Sequence, residues 1–324
     1  MLYFDERIIK YAIVDIGANS VRMNIYDIDT QTGEFSVYTS ARSMLGLAAY
    51  AKNGTLSNDG AGKLFAVLRE FLARANSIPC DCFSAFATAS LRGLSNSKKI
   101  LKDIKASLGI DIEIISGEAE ASYDLAAIRF RFPETTQGVL IDMGGGSTEI
   151  VHFKDERILS TVSLPIGCVM LGKNFTKCSK KDPFPNETEM EAIRVYVRKI
   201  LSAYPAFLKI GGTAFLIGGT ARAAAKLNRS LSEKNEYIPD GYAFSVNALK
   251  KTADTAFSDI REGGKWIRET VPDRVTSIIP GLVAYLEICD YMSLSDFIIS
   301  NAGVREGYLI DFIRKNFLRK TPES

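Results

Sequence analysis

The chain has 324 residues, of which 46% are hydrophobic and 24% charged, with a formal net charge of +2. This length and composition suit two soluble domains with ordinary cores. The near-balanced charge excludes the global basic field with which many proteins attract nucleic acid or a membrane surface. We therefore expect neither as a partner, and an anionic ligand would have to be bound by local charge.

Cysteine and histidine limit the possible chemistry. The single histidine, His152, excludes a histidine-rich metal site and disfavours a histidine-based catalytic triad. Hydrolysis would therefore have to use carboxylates and a hard cation such as Mg²⁺. The cysteines have no metal-binding spacing and are expected to be reduced cytosolic thiols. They are Cys80, Cys82, Cys168, Cys178 and Cys289.

No targeting segment is evident. Residues 1–10 lack the long apolar region of a secretory signal, and no run of about 18 apolar residues predicts a membrane span. We expect the protein to be cytoplasmic.

Periodicity predicts the elements of the first part of the chain. Ser57 or Asn58 is a candidate N-cap for an amphipathic helix that carries Leu64 and Leu68. The other predicted elements are strands at 11–17, 20–26, 34–42, 82–87 and 112–115, and a helix at 118–129.

The opening hairpin pattern occurs a second time. Aligned on Asp15 and Asp142, both segments read as an apolar run, Asp, an apolar residue, Gly, two small or polar residues and Ser, with an offset of about 127 residues. We interpret this as one internal duplication. Later signals are a capping-box pattern at 186–189, a strand, glycine turn and helix at 214–220, and a last helix from about Gly303 with a basic end at Arg314, Lys315, Arg319 and Lys320.

The two Asp-x-Gly turns are the central functional signal. Glycine lets backbone N–H groups approach a phosphate closely, and Ser20, Ser147 and Thr148 add hydroxyl donors. Asp15 and Asp142 are expected to face each other across an interdomain cleft and to hold Mg²⁺ directly or through water. A third loop, residues 218–220, leads into a helix whose N-terminus favours anions.

These residues resemble the exopolyphosphatase / guanosine pentaphosphate phosphohydrolase (Ppx/GppA) family. The resemblance extends over nearly the whole chain. The motifs that carry it are DIGANSVR (15–22), ATASLR (87–92) followed by Asn96, ISGEAEA (115–121), DMGGGSTE (142–149), SLPIG (163–167), GGT (218–220), DR (273–274) and GVREG (303–307).

The resemblance implies an α/β fold of duplicated actin-like ATPase (ribonuclease H-like) domains with an active-site cleft between them. The implied domains are 1–132, which the C-terminal helix at about 308–324 is expected to join, and 133–307. The short, two-domain form of the family is expected, and because relatives are often dimers, so is a homodimer.

The resemblance also implies roles for individual residues. Glu120 matches the general base that activates water, and Asp142 and Glu149 match residues that bind or orient the metal. Arg22 and Arg92 match arginines near the substrate phosphates. The remaining phosphate-binding candidates are Gly17, Asn19, Ser20, Gly144, Gly145, Gly146, Ser147, Thr148, Gly218, Gly219 and Thr220.

Each assignment has a structural alternative. Glu120 lies at the start of a predicted helix, where acidic residues simply complement the helix dipole. Glu149 could be an outward-facing strand residue, and Arg22 and Arg92 could be solvated charges. The sequence also departs from the family pattern at Met44, Leu216, Met170 and Ser122. Two of these replace potential phosphate contacts with thioethers.

The leading hypothesis is an Mg²⁺-dependent exopolyphosphatase that releases orthophosphate from chain ends. A guanosine pentaphosphate (pppGpp) 5′-phosphatase would use the same residues. The substitutions at Met44, Met170 and Ser122 motivate a third hypothesis, a catalytically weak regulator that binds polyphosphate or a nucleotide. A sugar kinase or actin-like ATPase shares the fold, but not the Ser-Gly-Glu-Ala-Glu motif.

Overall fold

The structure is a computed structural model that describes residues 7–155, 157–177, 183–233 and 237–318. Cys178, Arg319 and Lys320, which are named above, lie outside these residues. Packing divides the chain into two compact units, Met1–Ala126 with Val304–Ser324, and Ala127–Gly303.

The secondary structure follows the predicted order in the first part of the chain. Its elements are β1 (Ile8–Ile16), β2 (Val21–Asp29), β3 (Phe35–Ser43), α1 (Leu47–Tyr50), β4 (Ala51–Lys52), β5 (Thr55–Leu56), α2 (Asn58–Ser77), β6 (Cys82–Ala87), α3 (Ala89–Arg92), α4 (Ser97–Leu108), β7 (Ile112–Ile114) and α5 (Gly117–Arg131).

The second part contains several elements that the sequence patterns did not predict, among them α6, α9, α10 and α11. Its elements are β8 (Gln137–Met143), β9 (Thr148–Lys154), β10 (Arg157–Leu164), α6 (Cys168–Phe175), α7 (Glu187–Ser202), β11 (Thr213–Ile217), α8 (Gly218–Ser230), β12 (Ala243–Ser245), α9 (Val246–Arg261), α10 (Lys265–Thr270), α11 (Ile278–Met292), β13 (Asp296–Ile299) and α12 (Val304–Asn316).

The two units contain sheets of matching topology. In the first unit the strand order is β3-β2-β1-β6-β7, with an antiparallel β1-β2-β3 meander and parallel pairing of β6 with β1 and β7. In the second unit the order is β10-β9-β8-β11-β13, with the same directions, and β12 is added at the edge. The predicted duplication of an α/β unit is therefore confirmed.

Helix ends follow local side-chain chemistry. The Ser57 hydroxyl accepts a hydrogen bond from the Gly60 N–H at 3.2 Å and caps α2, as predicted. Asn186 and Glu189 form the predicted capping box at the start of α7, each side chain accepting a bond from the other residue's N–H. Both helices bury an apolar stripe, so capping and periodicity agree on where they begin.

In the first unit, helices cover both faces of the sheet. Residues of α2 and α4 pack on one face, and α5 and α12 pack on the other. The helices α5 and α12 approach closely, since a Cβ added at Gly307 would overlap the backbone carbonyl of Tyr123. The C-terminal helix is thus an integral part of this unit's core.

The second unit is built around α11, which is buried along most of its length. Its sequence contains Pro280 in the first turn, where a proline is tolerated because no N–H is needed there. At 15 residues it is shorter than the roughly 20 that a spanning helix needs. No helix in the described part of the chain has the length and apolar character to cross a membrane.

Candidate active site

The turn between β1 and β2 orders the first predicted phosphate loop. The Gly17 N–H donates to the Ser20 carbonyl at 3.1 Å, which closes the turn. The carbonyls of Ala18 and Asn19 accept bonds of 2.9 and 2.8 Å from N–H groups at the start of α1. No described residue accepts a bond from the N–H groups of Ala18 and Asn19 themselves. The loop therefore turns its carbonyls to the protein and leaves donors for an anion.

The turn between β8 and β9 has the same construction. The Gly144 N–H donates to the Ser147 carbonyl at 2.9 Å, and the carbonyls of Gly144 and Gly145 accept bonds of 2.9 to 3.1 Å from the first N–H groups of α6. The N–H groups of Gly145 and Gly146 have no acceptor among the described residues. Gly167 allows this contact, since a Cβ there would overlap the Gly145 carbonyl.

The two hairpins differ in the residue that lies opposite the aspartate. Asp15 is paired with Arg22 across β1 and β2, whereas Asp142 is paired with Glu149 across β8 and β9. Directly opposite residues in an antiparallel pair project from the same face. The first hairpin therefore presents a carboxylate beside a guanidinium, and the second presents two carboxylates.

The loop serine hydrogen-bonds to this differing residue in both units. In the first unit the Arg22 Nε donates to the Ser20 hydroxyl at 3.3 Å. In the second unit the Ser147 hydroxyl donates to Glu149 Oε1 at 2.8 Å, and the Ser163 hydroxyl donates to the same oxygen at 2.6 Å. Glu149 is only 1% exposed. Its environment therefore excludes the alternative of an outward-facing strand residue.

Asp15 lies in a polar cluster of the first unit. Burial raises the pKa of its carboxyl above the ordinary value, while the guanidinium groups of Arg305 and Arg22 oppose that shift and Glu306 adds to it. No described residue donates a hydrogen bond to the Asp15 carboxylate. Its lone pairs are thus available to a cation or a water.

The N-terminus of α8 forms the third predicted loop. The Asp142 carboxylate lies against Gly218, whose φ of +92° favours glycine and whose added Cβ would be 2.5 Å from Asp142 Oδ1. The guanidinium of Arg274 lies directly against Gly219. A cation is electrostatically unfavourable at a helix N-terminus. An anion shared by the helix and Arg274 would remove that conflict.

Arg274 belongs to the DR motif at 273–274 but had no predicted role, and its position beside Gly219 became apparent only in the structure. The guanidinium has no hydrogen bond or ion pair within the described part of the chain. The signal in the sequence is weak, because more than fifty residues separate Arg274 from Gly219. We add it to the candidate phosphate-binding residues.

Glu120 lies in the first turn of α5, as predicted, and is 6% exposed. The Arg92 Nη1, at the end of α3, donates to Glu120 Oε2 at 3.1 Å and to the Ile115 carbonyl at 3.1 Å. The structure therefore brings together the predicted general base and one predicted phosphate-binding arginine. Arg92 fixes the rotamer of the carboxylate, which could then orient a water.

The predicted hydroxyl donors Ser147 and Thr148 already have acceptors in the protein, and so does the hydroxyl of Thr220. The Thr148 hydroxyl donates to the Ile166 carbonyl at 2.6 Å, and the Thr220 hydroxyl donates to the Cys168 sulfur at 3.2 Å. Both residues are almost fully buried. A phosphate contact by either would have to use its backbone N–H.

The carboxylates of the second unit fit a magnesium ion that is shared with a substrate. Within the described residues, no group of three or more His, Cys, Asp and Glu side chains is arranged to hold a metal. Mg²⁺ commonly keeps several waters and takes one or two carboxylates together with substrate phosphates. Asp142 and Glu149 supply such a pair on adjacent strands. Hard oxygen ligands of this kind suit magnesium.

Comparison with known proteins agrees with this chemistry. The model of the Ppx/GppA phosphatase family matches residues 25–316. A Haemophilus influenzae protein, provisionally named exopolyphosphatase, is 26% identical over 95% of this chain and 92% of its own length. Exopolyphosphatase 1 of Mycobacterium tuberculosis is 29% identical over 51% of this chain and 48% of its own length.

Solved structures show the same fold. The crystal structure of the Aquifex aeolicus Ppx/GppA family member is 28% identical, with a TM-score of 0.76 over 95% of this chain and 98% of that one. An exopolyphosphatase from Cytophaga hutchinsonii is 19% identical, with a TM-score of 0.81 over 94% and 98%, and supports the fold alone. The fold is the predicted α/β fold, with two domains of matching sheet topology. The chain belongs to the Ppx/GppA phosphatase family and is a hydrolase of phosphoanhydride bonds.

Proposed function

We propose that the protein is an exopolyphosphatase, which hydrolyses the terminal phosphate of inorganic polyphosphate and releases orthophosphate. The observation that carries the proposal is the charge difference between two copies of one hairpin. Arg22 lies opposite Asp15, and Glu149 lies opposite Asp142. One loop is thus equipped for phosphate oxygens and the other for a divalent cation. A phosphoanhydride substrate accompanied by its metal requires both.

The phosphate chain would be bound by backbone N–H groups and arginines. Donors without a protein acceptor occur at 18–19 and 145–146, and Arg274 adds a guanidinium at the N-terminus of α8. Arginine binds phosphate oxygens through two parallel hydrogen bonds. None of these groups recognises a base or a sugar. This favours a polymer of phosphate over a nucleotide, in agreement with the names of the relatives.

Glu120 would act as the general base. Its carboxylate takes a proton from water as the water oxygen attacks the terminal phosphorus in line with the bridging oxygen. The bond between phosphorus and that bridging oxygen breaks, and the shortened chain leaves with the electron pair. Phosphoryl transfer depends more on positioning and charge neutralisation than on covalent help, so a fixed carboxylate and a set of cationic groups suffice.

Asp142 and Glu149 would hold Mg²⁺, and Asp15 is a further candidate ligand of the ion. When bound, the ion neutralises charge on the phosphate oxygens. The serine hydroxyls at 147 and 163 fix one oxygen of Glu149 and so set the direction of its other oxygen. The Asp142 carboxylate lies against Gly218 at the N-terminus of α8.

The test is orthophosphate release from long-chain polyphosphate with Mg²⁺, measured for wild type, Glu120→Gln and Glu118→Gln. Glu118 is the matched control, because it lies in the same helical turn but is exposed. Loss of a positioned general base costs about 10²–10⁴-fold in rate. We expect a decrease of that size for Glu120→Gln and little change for Glu118→Gln.

Other outcomes would select among the alternatives. An equal rate in wild type and Glu120→Gln would contradict the role of Glu120. Wild type that binds polyphosphate without releasing orthophosphate would indicate a regulator. Wild type that neither binds nor hydrolyses polyphosphate but removes the 5′-phosphate of guanosine pentaphosphate would be a pppGpp phosphatase.

A further inference from the structure

The first turn of α12 contributes a polar cluster to the sheet of the first unit. The Tyr26 hydroxyl donates to Glu306 Oε1 at 2.6 Å, and the Asn24 amide donates to the Tyr26 hydroxyl at 2.8 Å. Asn24 is 8% exposed and Tyr26 is fully buried. These bonds fix Glu306 on β2, and with it the start of the helix.

The direction of α12 places its N-terminus at the loop end of the sheet. On the face that α12 covers, the pairs run from Asp15 and Arg22, nearest the loop, down to Tyr11 and Tyr26. The ring of Phe312, two turns along α12, lies 4.3 Å from that of Tyr11. Because the later turns pack far from the loop, the residues before Glu306 lie towards it.

Arg305 is the cationic residue at this position. It is half-buried, and its guanidinium makes no hydrogen bond or ion pair within the described part of the chain. Burial lowers its pKa, but Glu306, Tyr26 and Asp15 outweigh this and the pKa is raised, so the group stays charged. A guanidinium removed from water without hydrogen-bonding partners is costly unless a ligand supplies them.

The neighbouring carboxylates do not supply the missing bonds. Glu306 directs its Oε1 to Tyr26 and Asn24, and Asp15 makes no hydrogen bond to Arg305. All five guanidinium N–H donors therefore remain for an acceptor other than the protein. The N–H groups of Ala18 and Asn19, which also lack protein acceptors, belong to the loop that begins two residues after Asp15.

We propose that Arg305 is a phosphate-binding residue of the first loop, held in place by the bonds of Glu306 to β2. This inference rests on the proposed function and adds to it a contact from the C-terminal helix. The bound group is a phosphate oxyanion of the substrate, which accepts hydrogen bonds from the guanidinium and from the loop N–H groups.

The test measures tripolyphosphate binding by calorimetry in the presence of EDTA, so that turnover does not enter. The test variant is Arg305→Gln. The control variant is Arg314→Gln, because it also removes a guanidinium from α12 but at an exposed position. Loss of a charged hydrogen-bonding contact is expected to weaken binding about 10- to 100-fold for Arg305→Gln. Arg314→Gln should bind like wild type. The ligand-free melting temperature of Arg305→Gln should equal or exceed that of wild type.

Wild-type affinity in Arg305→Gln together with a lowered melting temperature would overturn the proposal and make Arg305 a counter-ion of the fold. Should Arg305→Gln fail to fold, Arg305→Lys keeps the charge but loses the two-pronged geometry, and undiminished binding by that variant would also refute the inference. Wild type without measurable tripolyphosphate binding would do the same. Failure of polyphosphate hydrolysis with binding intact would instead count against the proposed function alone.

Discussion

The hairpins of the two units share one backbone design and carry opposite charges at the strand position that faces the aspartate. In each, a glycine N–H and a serine carbonyl close the turn, and the start of a helix binds the loop carbonyls. In each, an aspartate ends the apolar strand. Opposite the aspartate, the first unit has Arg22 and the second has Glu149. The offset of about 127 residues places Arg22 and Glu149 at equivalent positions of the repeat.

Under the proposed function, this difference would give the two copies of one scaffold different roles. In both copies the turn leaves backbone N–H groups without an acceptor among the described residues, and such groups would suit an anion. The side chain opposite the aspartate then sets the local charge. A guanidinium favours an additional phosphate oxygen, whereas a second carboxylate favours a cation.

The largest expected effect comes from removing the two opposed charges separately. Arg22→Gln should raise the KM for polyphosphate by about 10- to 100-fold through the lost charged hydrogen bonds. Glu149→Gln should raise the Mg²⁺ concentration needed for half-maximal activity by about 10- to 100-fold, as losses around a metal commonly do. Orthophosphate release measured over a grid of polyphosphate and Mg²⁺ concentrations separates the two.

The contrast between the hairpins is wrong if Arg22→Gln changes the Mg²⁺ requirement or Glu149→Gln changes only the KM for polyphosphate. A changed Mg²⁺ requirement in Arg22→Gln, with unchanged KM for polyphosphate, would assign the first hairpin to the metal. Ser163→Ala is expected to change the Mg²⁺ requirement less than Glu149→Gln, because it removes one of the two serine hydrogen bonds to Glu149 Oε1 and keeps the charge. Its shift should have the same direction and a smaller size.

A second comparison concerns the glycines at the start of α1 and α6. Gly167 has an extended φ of −87°, but an added Cβ would overlap the Gly145 carbonyl. Gly46 has a φ of +62° and open space around it. We expect Gly167→Ala to lower the free energy of unfolding by about 3 kcal/mol or more. Gly46→Ala should lower it by about 1–2 kcal/mol, the cost of a left-handed conformation.

Urea denaturation of both variants checks this order. If both variants lost the same free energy of unfolding, the loop of the second unit would be able to move away from α6 without penalty. The hydrogen bonds between the loop carbonyls and the start of α6 would then contribute little to stability. Phosphate binding by Gly167→Ala should decline along with stability, because the loop carbonyls lose their donors.

Two fully buried tyrosines provide a third comparison. The Tyr26 hydroxyl bonds to Glu306 and Asn24, whereas the Tyr285 hydroxyl has no partner among the described residues. Burial raises the pKa of both. Tyr26→Phe removes the 2.6 Å hydrogen bond to Glu306 Oε1 and should lower the free energy of unfolding by about 1–3 kcal/mol. Tyr285→Phe should be neutral or stabilising, and a loss equal to that of Tyr26→Phe would show that its hydroxyl has an essential partner.

The smallest effect concerns the turn after β2. The Arg7 guanidinium, and then the N–H groups of Thr32 and Gln31, lower the pKa of Asp29 below the ordinary value. A lowered folded-state pKa adds stability above the unfolded-state value of about 4, and this is lost as the pH falls towards the folded-state value. Asp29→Asn should therefore be slightly less stable than wild type at pH 7. The difference in unfolding free energy between wild type and Asp29→Asn should shrink by pH 3. Urea denaturation at both pH values measures it, and a difference that grew at pH 3 would contradict the prediction.

The hairpins were predictable because their chemistry is local. An apolar run is followed by an aspartate, a glycine and a serine that lie within six residues, and the turn they form needs no distant partner. The caps at Ser57 and Asn186 were predictable for the same reason. The buried helix α11 was not, because a helix that is apolar on all sides has no 3.6-residue periodicity to recognise.

The duplication, the three glycine turns and the acidic residues that end or face them can be read from the amino-acid sequence, since each depends on residues close together in the chain. The contacts around them depend on how distant segments pack. Arg274 reaches Gly219, Arg92 reaches Glu120 and Glu306 reaches Tyr26 across 55, 28 and 280 positions of the chain. No local pattern encodes such contacts, because they arise when helices and strands pack and the cost of closing long loops is repaid by burial.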